Sequence, residues 1–188
     1  MSLFSIPDLK HMADTMGTQD KNVCDKPVSR AKAESGASFS ISDSYDIFLS
    51  HSVKNACLLW ALKTELRGMG YSVYVDWVND NGGQISEKTI ELICRQMQSS
   101  KSLLFVSESN AGVSRWAAWQ LSYFKGLKGK VAVLPLVERQ FSCVDYYGQG
   151  HLGLYPYVTK TSDNQGRSKL WVHDNTTLNM DFNAWLNS

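Results

Sequence analysis

Four short apolar runs, separated by segments with helical periodicity, dominate residues 45–137 of this 188-residue chain. The runs read YDIFLS, YSVYVD, SLLFVS and KVAVLPLV, and such short apolar runs are typical of strands buried on both faces of a parallel sheet. After the first run, Leu59, Leu62 and Leu66 recur at the spacing of one helix face. Because the alternation repeats with short connections, the sequence predicts an open, doubly wound α/β sheet flanked by helices.

Local signals predict where the helices begin and end. Gly68 and Gly70 are expected to stop the helix after the first strand, and Ser86 is expected to cap the next helix. A further helix is expected to begin near Ser114, and Asp181 to cap a short closing helix in DFNAWLN. These signals support the same alternation of strands and helices.

The two ends of the chain differ from this alternating middle. Residues 17–44 are polar and rich in Ser, Gly, Ala and Lys, which predicts a flexible linker, and SIPDLKHMAD before them predicts a short helix. We therefore divide the chain into an N-terminal helix and linker, residues 1–44, and one domain, residues 45–188. From about residue 138 this domain carries a C-terminal extension, in which LGLYPYVTKT and SKLWVHD predict two strands joined by a turn.

Composition excludes several classes of partner. A formal net charge of +1 gives no electrostatic reason to expect nucleic acid or an anionic membrane. No apolar run approaches the ~20 residues that span a bilayer, and the N-terminus lacks the apolar core of a secretory signal. Cys24, Cys57, Cys94 and Cys143 are widely spaced, which predicts reduced thiols without a zinc site or a disulfide framework. We expect a cytoplasmic protein that binds a small molecule or another protein.

Polar and aromatic residues follow the predicted strands. Open α/β sheets bind ligands outside the carboxyl ends of their strands, so these residues are the candidate site. They are Ser50, His51 and Ser52 after the first strand, Asp76 and Trp77 after the second, and Ser107, Glu108 and Ser109 after the third. No GxGxxG, P-loop or GxSxG motif is present, which argues against the common phosphate-binding loops and the hydrolase nucleophile elbow.

Three segments in succession resemble the Toll/interleukin-1 receptor (TIR) family. YDIFLSHS is similar to its first strand, GYSVYVDW to its second strand entering the BB loop, and SKSLLFVSESNAGVSRWAAWQL to its third strand and active-site helix. Bacterial TIR proteins, including those of the Thoeris anti-phage system, show the greatest similarity, because WAAWQLSYFKG resembles their W-x-x-W-E-L-x-Y-F-x-G pattern. The resemblance implies a flavodoxin-like sheet.

The same resemblance implies an activity and partners. It implies cleavage of NAD⁺ at the nicotinamide–ribose bond, with NAD⁺ as substrate and no separate cofactor or metal. The released cyclic or otherwise modified ADP-ribose would activate a partner effector. Self-association through the BB loop, residues 77–85, is also expected from the family.

Aromatic side chains are the candidates for stacking on the bases of NAD⁺. Trp77, Trp116 and Trp119 have the flat rings that this role needs. Core packing explains them equally simply, because large aromatic residues are mostly buried.

Charged residues are the candidates for the rest of the dinucleotide. Lys54 and Arg95 carry the groups that usually bind phosphate, and Asp76 and Asp80 could contact ribose hydroxyls. A solvated helix face is the simpler explanation for Arg95, and turn chemistry for the two aspartates.

Gln120 stands where the family pattern has its catalytic glutamate. A carboxylate there would stabilise positive charge on the ribose carbon, and an amide keeps the shape without the charge. The expected loss of rate is on the order of 10²-fold or more, so the site should bind better than it reacts. Gln120 is either an introduced substitution that traps substrate, which the intact remainder of the motif favours, or a natural loss. Glu108 or Glu91 would have to supply a replacement charge.

Two other functions fit the same sequence. A non-catalytic TIR module would assemble or recruit a partner through the BB loop and would not turn over NAD⁺. A receptor would bind a nucleotide signal rather than make it. For an enzyme, the product stays open: water gives ADP-ribose, an internal atom gives a cyclic product, and an amino acid gives a conjugate.

Overall fold

The computed structural model describes residues 1–17, 44–77, 85–108, 112–138, 146, 148, 150–162, 167–174 and 179–188. Its helices and strands, in chain order, are β1 (Phe4–Ser5), α1 (Ile6–Gly17), β2 (Tyr45–His51), α2 (Ala56–Gly68), β3 (Val73–Val75), α3 (Glu87–Ser99), β4 (Ser100–Glu108), α4 (Arg115–Lys128), β5 (Val131–Val137), a 3₁₀ helix (Gly150–Leu154), β6 (Tyr157–Ser162), β7 (Ser168–His173), β8 (Asn179–Asp181) and α5 (Phe182–Asn187). None of the helices in these ranges combines the length and the hydropathy needed to cross a bilayer.

The described strands form one sheet in the order β3-β2-β4-β5-β6-β7-β8, with β1 paired to β5. The pairs β3–β2, β2–β4, β4–β5 and β5–β6 are parallel, whereas the pairs β6–β7 and β7–β8 are antiparallel. The predicted flavodoxin-like open sheet flanked by helices is therefore confirmed. Since β2 lies between β3 and β4, the carboxyl ends of these three strands meet at one edge of the sheet.

Each face of the sheet carries its own hydrophobic core. Consecutive strand residues point to opposite faces, so Ile47 and Leu49 lie in one core and Phe48 lies in the other. Helices α1, α2 and α5 cover the first face, and α3 and α4 cover the second. Burial on both faces explains why the strands are apolar throughout.

Side-chain caps fix the ends of the helices. Ser86 Oγ accepts a hydrogen bond from the Thr89 amide at 3.2 Å, and Asp181 Oδ1 accepts one from the Asn183 amide at 2.9 Å, as predicted. Ser114 caps α4 in the same way. Helix α2 ends at Gly68, and Gly70 just beyond it has a φ of +95°, which favours glycine.

The N-terminal residues complete the sheet in a way that the sequence did not indicate. Phe4 pairs in parallel with Leu136 of β5, while the backbone of Ser2 exchanges hydrogen bonds with Lys160 of β6 at 2.8 and 2.9 Å. The Phe4 side chain is 0% exposed, and Leu9 of α1 is also buried in the first core. The N-terminal segment therefore packs between the diverging strands β5 and β6. A two-residue strand is too short to show a periodicity.

Several predictions of local structure need correction or lie outside the described ranges. The residues LGL of the predicted strand LGLYPYVTKT belong to the 3₁₀ helix, and the strand itself begins at Tyr157. Cys57 is disulfide-bonded, so the expectation of reduced thiols throughout is wrong, and Cys94 is free. The predicted linker falls almost entirely on residues outside the described ranges, as does the turn at residues 163–166.

Substitution of Phe4 tests whether the N-terminal strand belongs to the core. Phe4→Ala should lower the free energy of unfolding by about 3–5 kcal/mol, because it removes a fully buried ring. Urea unfolding at equilibrium measures this. Leu127→Ala, at an exposed position on α4, is the control and should change stability by less than about 0.5 kcal/mol. Equal, small effects of both substitutions would contradict the packing.

Candidate active site

The carboxyl ends of β2 and β3 and the first turns of α4 form the candidate site. The amide of Asp76 donates to the Leu49 carbonyl at 3.0 Å, which extends the ladder beyond β3 and places Asp76 beside Ser50. Helix α4 begins at Arg115 under the Ser114 cap and lies over these strand ends, so Trp116 and Gln120, four residues apart, reach the same point.

A buried hydrogen-bond network joins the three elements. The Gln120 amide Nε2 donates to Asp76 Oδ2 at 2.5 Å, and Trp116 Nε1 donates to the same oxygen at 2.8 Å. Ser50 Oγ donates to Gln120 Oε1 at 2.6 Å. Ser50, Asp76 and Gln120 are 0%, 3% and 1% exposed. Because burial removes the Asp76 carboxylate from water, it needs the hydrogen bonds donated by Gln120 and Trp116.

The donors and acceptors in this network fix the orientation of the Gln120 amide. The indole N–H of Trp116 can only donate, so Asp76 Oδ2 acts as an acceptor. The NH₂ group of Gln120 therefore faces Asp76, and its carbonyl oxygen faces the hydroxyl of Ser50. Both polar ends of the amide are thus engaged inside the protein.

His51 lies at the margin of the network in its neutral form. Its Nε2 is 2.7 Å from the backbone carbonyl of Asp76, and because a carbonyl only accepts, this nitrogen carries the proton. Burial lowers the pKa of His51, and the negative charge of Asp76 opposes this shift. Among the described residues, His51 Nδ1 and Trp77 Nε1 are buried and have no hydrogen-bond partner. Both nitrogens lie inside the protein at these strand ends, closed off from solvent.

Three aromatic rings stack along α4 beside this network. The rings of Trp116 and Trp119 are 4.7 Å apart, and those of Trp119 and Tyr123 are 5.7 Å apart, each pair at 25°. All three side chains are half-buried. They are therefore neither wholly core residues nor wholly exposed ones, and they leave ring surface at the edge of the site.

The structure brings together most of the predicted site residues. Those that meet at the strand ends are Ser50, His51, Asp76, Trp77, Trp116 and Gln120. Ser52 also follows β2, and its hydroxyl lies 3.4 Å from the carbonyl of Val106. Their roles toward a substrate stay predictions.

Other predicted residues lie apart from the network or outside the described ranges. Lys54 and Arg95 have exposed side chains, and no contact places either of them in the network. Asp80 lies outside the described residues. Of the two substitute carboxylates considered, Glu108 is half-buried at the end of β4 and Glu91 is exposed on α3.

Tyr146 reaches the same edge of the sheet and was not predicted. It hydrogen-bonds with Ser107 near the end of β4, and burial raises the pKa of its phenol despite that bond. Its ring also packs against Tyr157 at 5.7 Å. No sequence signal indicates this contact, because Tyr146 belongs to the extension and not to a strand of the parallel repeat.

Two known proteins resemble this chain, the first of them over most of its length. No family model matches it. It is 42% identical over 146 residues to the probable 3′ cyclic ADP-D-ribose synthase ThsB′ of Bacillus cereus (strain MSX-D12), a match that covers 76% of this chain and 75% of that protein. It is 29% identical over 87 residues to the putative cyclic ADP-D-ribose synthase TIR2 of Cytobacillus dafuensis, covering 44% of this chain and 23% of that protein. The first similarity extends well beyond the motifs of the site.

Substitution of Trp116 tests the hydrogen bond to Asp76. Trp116→Phe keeps a ring but removes one N–H donor from a buried carboxylate, so the free energy of unfolding should fall by about 1–3 kcal/mol beyond any packing loss. Trp119→Phe is the matched control for packing, because the ring of Trp119 stacks directly on that of Trp116. Chemical denaturation compares the two variants, and equal losses would contradict a contribution from the N–H group.

The pKa of His51 predicts how stability depends on pH. Because burial lowers this pKa in the folded protein, the unfolded chain binds more protons than the folded one just below the ordinary value of ~6.5. The stability that the folded protein gains by keeping His51 neutral is complete above about pH 6.5 and is lost as the pH falls toward the folded-state pKa. His51→Gln should therefore reduce the fall in Tm between about pH 7.5 and pH 5. His11→Gln, at an exposed position, is the control. An unchanged slope in His51→Gln would contradict the effect.

Proposed function

The chain belongs to the TIR family of the Thoeris type, and from this membership we propose that it converts NAD⁺ to a cyclic ADP-ribose signal with release of nicotinamide. The observation that carries the proposal is the position of residue 120. It lies at the carboxyl ends of the parallel strands, directly after Trp119 and within a buried polar network. Open α/β sheets bind their ligands at this edge.

The chemistry requires a site that stabilises positive charge. The bond between the nicotinamide nitrogen and ribose C1′ breaks, and its electron pair leaves with nicotinamide, which changes from a cation to a neutral molecule. Positive charge develops on the ribose carbon, so a nearby negative charge stabilises the transition state more than the ground state. A nucleophilic atom of the same ADP-ribose then bonds to this carbon and gives up its proton if it is a hydroxyl. This closes a cyclic product.

Named residues have roles in this proposal. The rings of Trp116 and Trp119 stack on a base, and Trp77 and His51 lie at the strand ends beside the ribose. Ser50 and Ser52 line the end of β2, and Lys54 and Arg95 approach the pyrophosphate from the rim. Asp76 orients Gln120 by accepting a hydrogen bond from its amide group. The product then acts on a separate effector, and the BB loop mediates self-association.

Gln120 reduces the rate in this proposal. It occupies the position of the family glutamate and supplies no charge, so this chain binds NAD⁺ and turns it over slowly.

One observation favours a second function, a non-catalytic TIR module. Both polar ends of Gln120 are engaged by Asp76 and Ser50, and the side chain is 1% exposed, so the amide is not presented to a ligand. Such a module would associate through the BB loop and would not consume NAD⁺.

The test of the enzyme is the substitution Gln120→Glu. Incubation with NAD⁺ near pH 8, followed by mass spectrometry, should show nicotinamide release at least about 10²-fold faster than in the parent chain, together with a product of the mass of cyclic ADP-ribose. Gln98→Glu adds the same charge at an exposed position on α3 and should not change the rate. No release by any of the three chains, at protein concentrations that allow assembly, would favour the non-catalytic module.

A further inference from the structure

We propose that Asp76 sets the charge of residue 120: a glutamate at this position would share a single proton with Asp76, and its ionisation would be delayed to a higher pH. In this chain Gln120 is the neutral partner and Asp76 keeps the charge. Asp76 is thus a positioning residue that acts through residue 120 and does not itself contact the substrate. The catalytic part of this inference rests on the proposed function, whereas the shared proton does not.

The geometry of the pair carries the inference. Gln120 Nε2 and Asp76 Oδ2 are 2.5 Å apart, and both side chains are nearly inaccessible to water. Asp76 is therefore already the acceptor of a close hydrogen bond from residue 120. A glutamate of the same shape would place a second acceptor oxygen at this distance.

Two carboxylates at this distance cannot both ionise at low cost. In a buried site the repulsion between them strongly raises the pKa of one member, and the pair titrates as a unit. The other titratable side chains at these strand ends, among the described residues, include His51 on β2, Glu108 on β4 and Tyr146, together with the exposed Lys54 after β2 and the exposed Arg115 at the start of α4. Burial lowers the pKa of His51 and so favours its neutral form, and helix α4 contributes an uncharged donor through Trp116.

The pair also explains how the missing charge can be restored. In Gln120→Glu the new side chain stays protonated at low pH, resembles the amide and leaves the charge on Asp76. As pH rises above the raised pKa, residue 120 becomes the carboxylate that the reaction needs. Adding Asp76→Asn removes the repulsion, because asparagine can accept from Trp116 with its oxygen and donate to the glutamate with its NH₂ group.

Thermal unfolding between pH 5 and pH 8 tests the shared proton without reference to activity. A raised pKa in the folded state means that the folded protein binds more protons than the unfolded chain above ~4.3, so stability falls as pH rises through this window. For a rise of about two pKa units, the Tm of Gln120→Glu should fall by about 3–7 °C relative to the parent chain between pH 5 and pH 8, because the unfolded glutamate is already mostly ionised at pH 5.

Two further chains serve as comparisons. In Asp76→Asn/Gln120→Glu and in the exposed control Gln98→Glu, the Tm difference from the parent chain should stay constant with pH. Asp76 raises the pKa of His51, so the titration of His51 differs between these chains, and repeating the measurement in a His51→Gln background removes this difference. A constant Tm difference for Gln120→Glu would overturn the inference. Failure of Gln120→Glu to fold even at pH 5, where the protonated glutamate resembles the amide, would overturn it as well.

Nicotinamide release as a function of pH gives the catalytic readout. The kcat/KM of Gln120→Glu should rise up to about tenfold per pH unit below the raised pKa, whereas that of the double variant should be flat between pH 6 and pH 8 and higher at pH 6.

A double variant that is inactive but normally stable would overturn the positioning role and make Asp76 a substrate contact. If no variant turns over NAD⁺ while the Tm differences behave as expected, the shared proton stands and the proposed function fails. If both variants are active with identical pH profiles, the function stands and the shared proton fails.

Discussion

Burial of the parallel sheet on both faces is the constraint on which the rest of this structure depends. Strands covered by helices on both sides must be apolar along their length, and alternate residues such as Phe48 and Leu49 enter separate cores. Polar side chains are then confined to the strand ends. Because β2, β3 and β4 are parallel neighbours, the polar residues that follow them meet at one edge. The candidate site follows from the packing of the sheet.

A buried carboxylate at that edge imposes a second constraint. Asp76 is removed from water and is therefore held by N–H donors from α4, which fixes the first two turns of this helix over the strand ends. The same requirement fixes the orientation of Gln120 and engages Ser50. The neighbours of residue 120 therefore determine the orientation of its side chain. The effect of a substitution at this position depends on Asp76 as much as on the residue introduced.

Much of the fold and part of the site could be predicted from the sequence. Apolar periodicity located the strands of the parallel repeat, and Ser86 and Asp181 were recognised as caps, because these features depend on residues close in sequence. Ser50, Asp76 and Gln120 were candidates because they follow strands or match a motif. The strand at Phe4 and the contact of Tyr146 with Ser107 were not predicted, because each depends on residues that are distant in the chain.

The sequence by itself determined the alternation of strands and helices, the ends of several helices and the absence of a charge at residue 120. The tertiary structure alone decided where the remaining charge lies and what residue 120 faces. Gln120 is 44 positions from Asp76 and 70 from Ser50, and no local pattern encodes hydrogen bonds over such separations. Both bonds exist because β2, β3 and α4 pack against one another, and because burial leaves each polar group only its neighbours as partners.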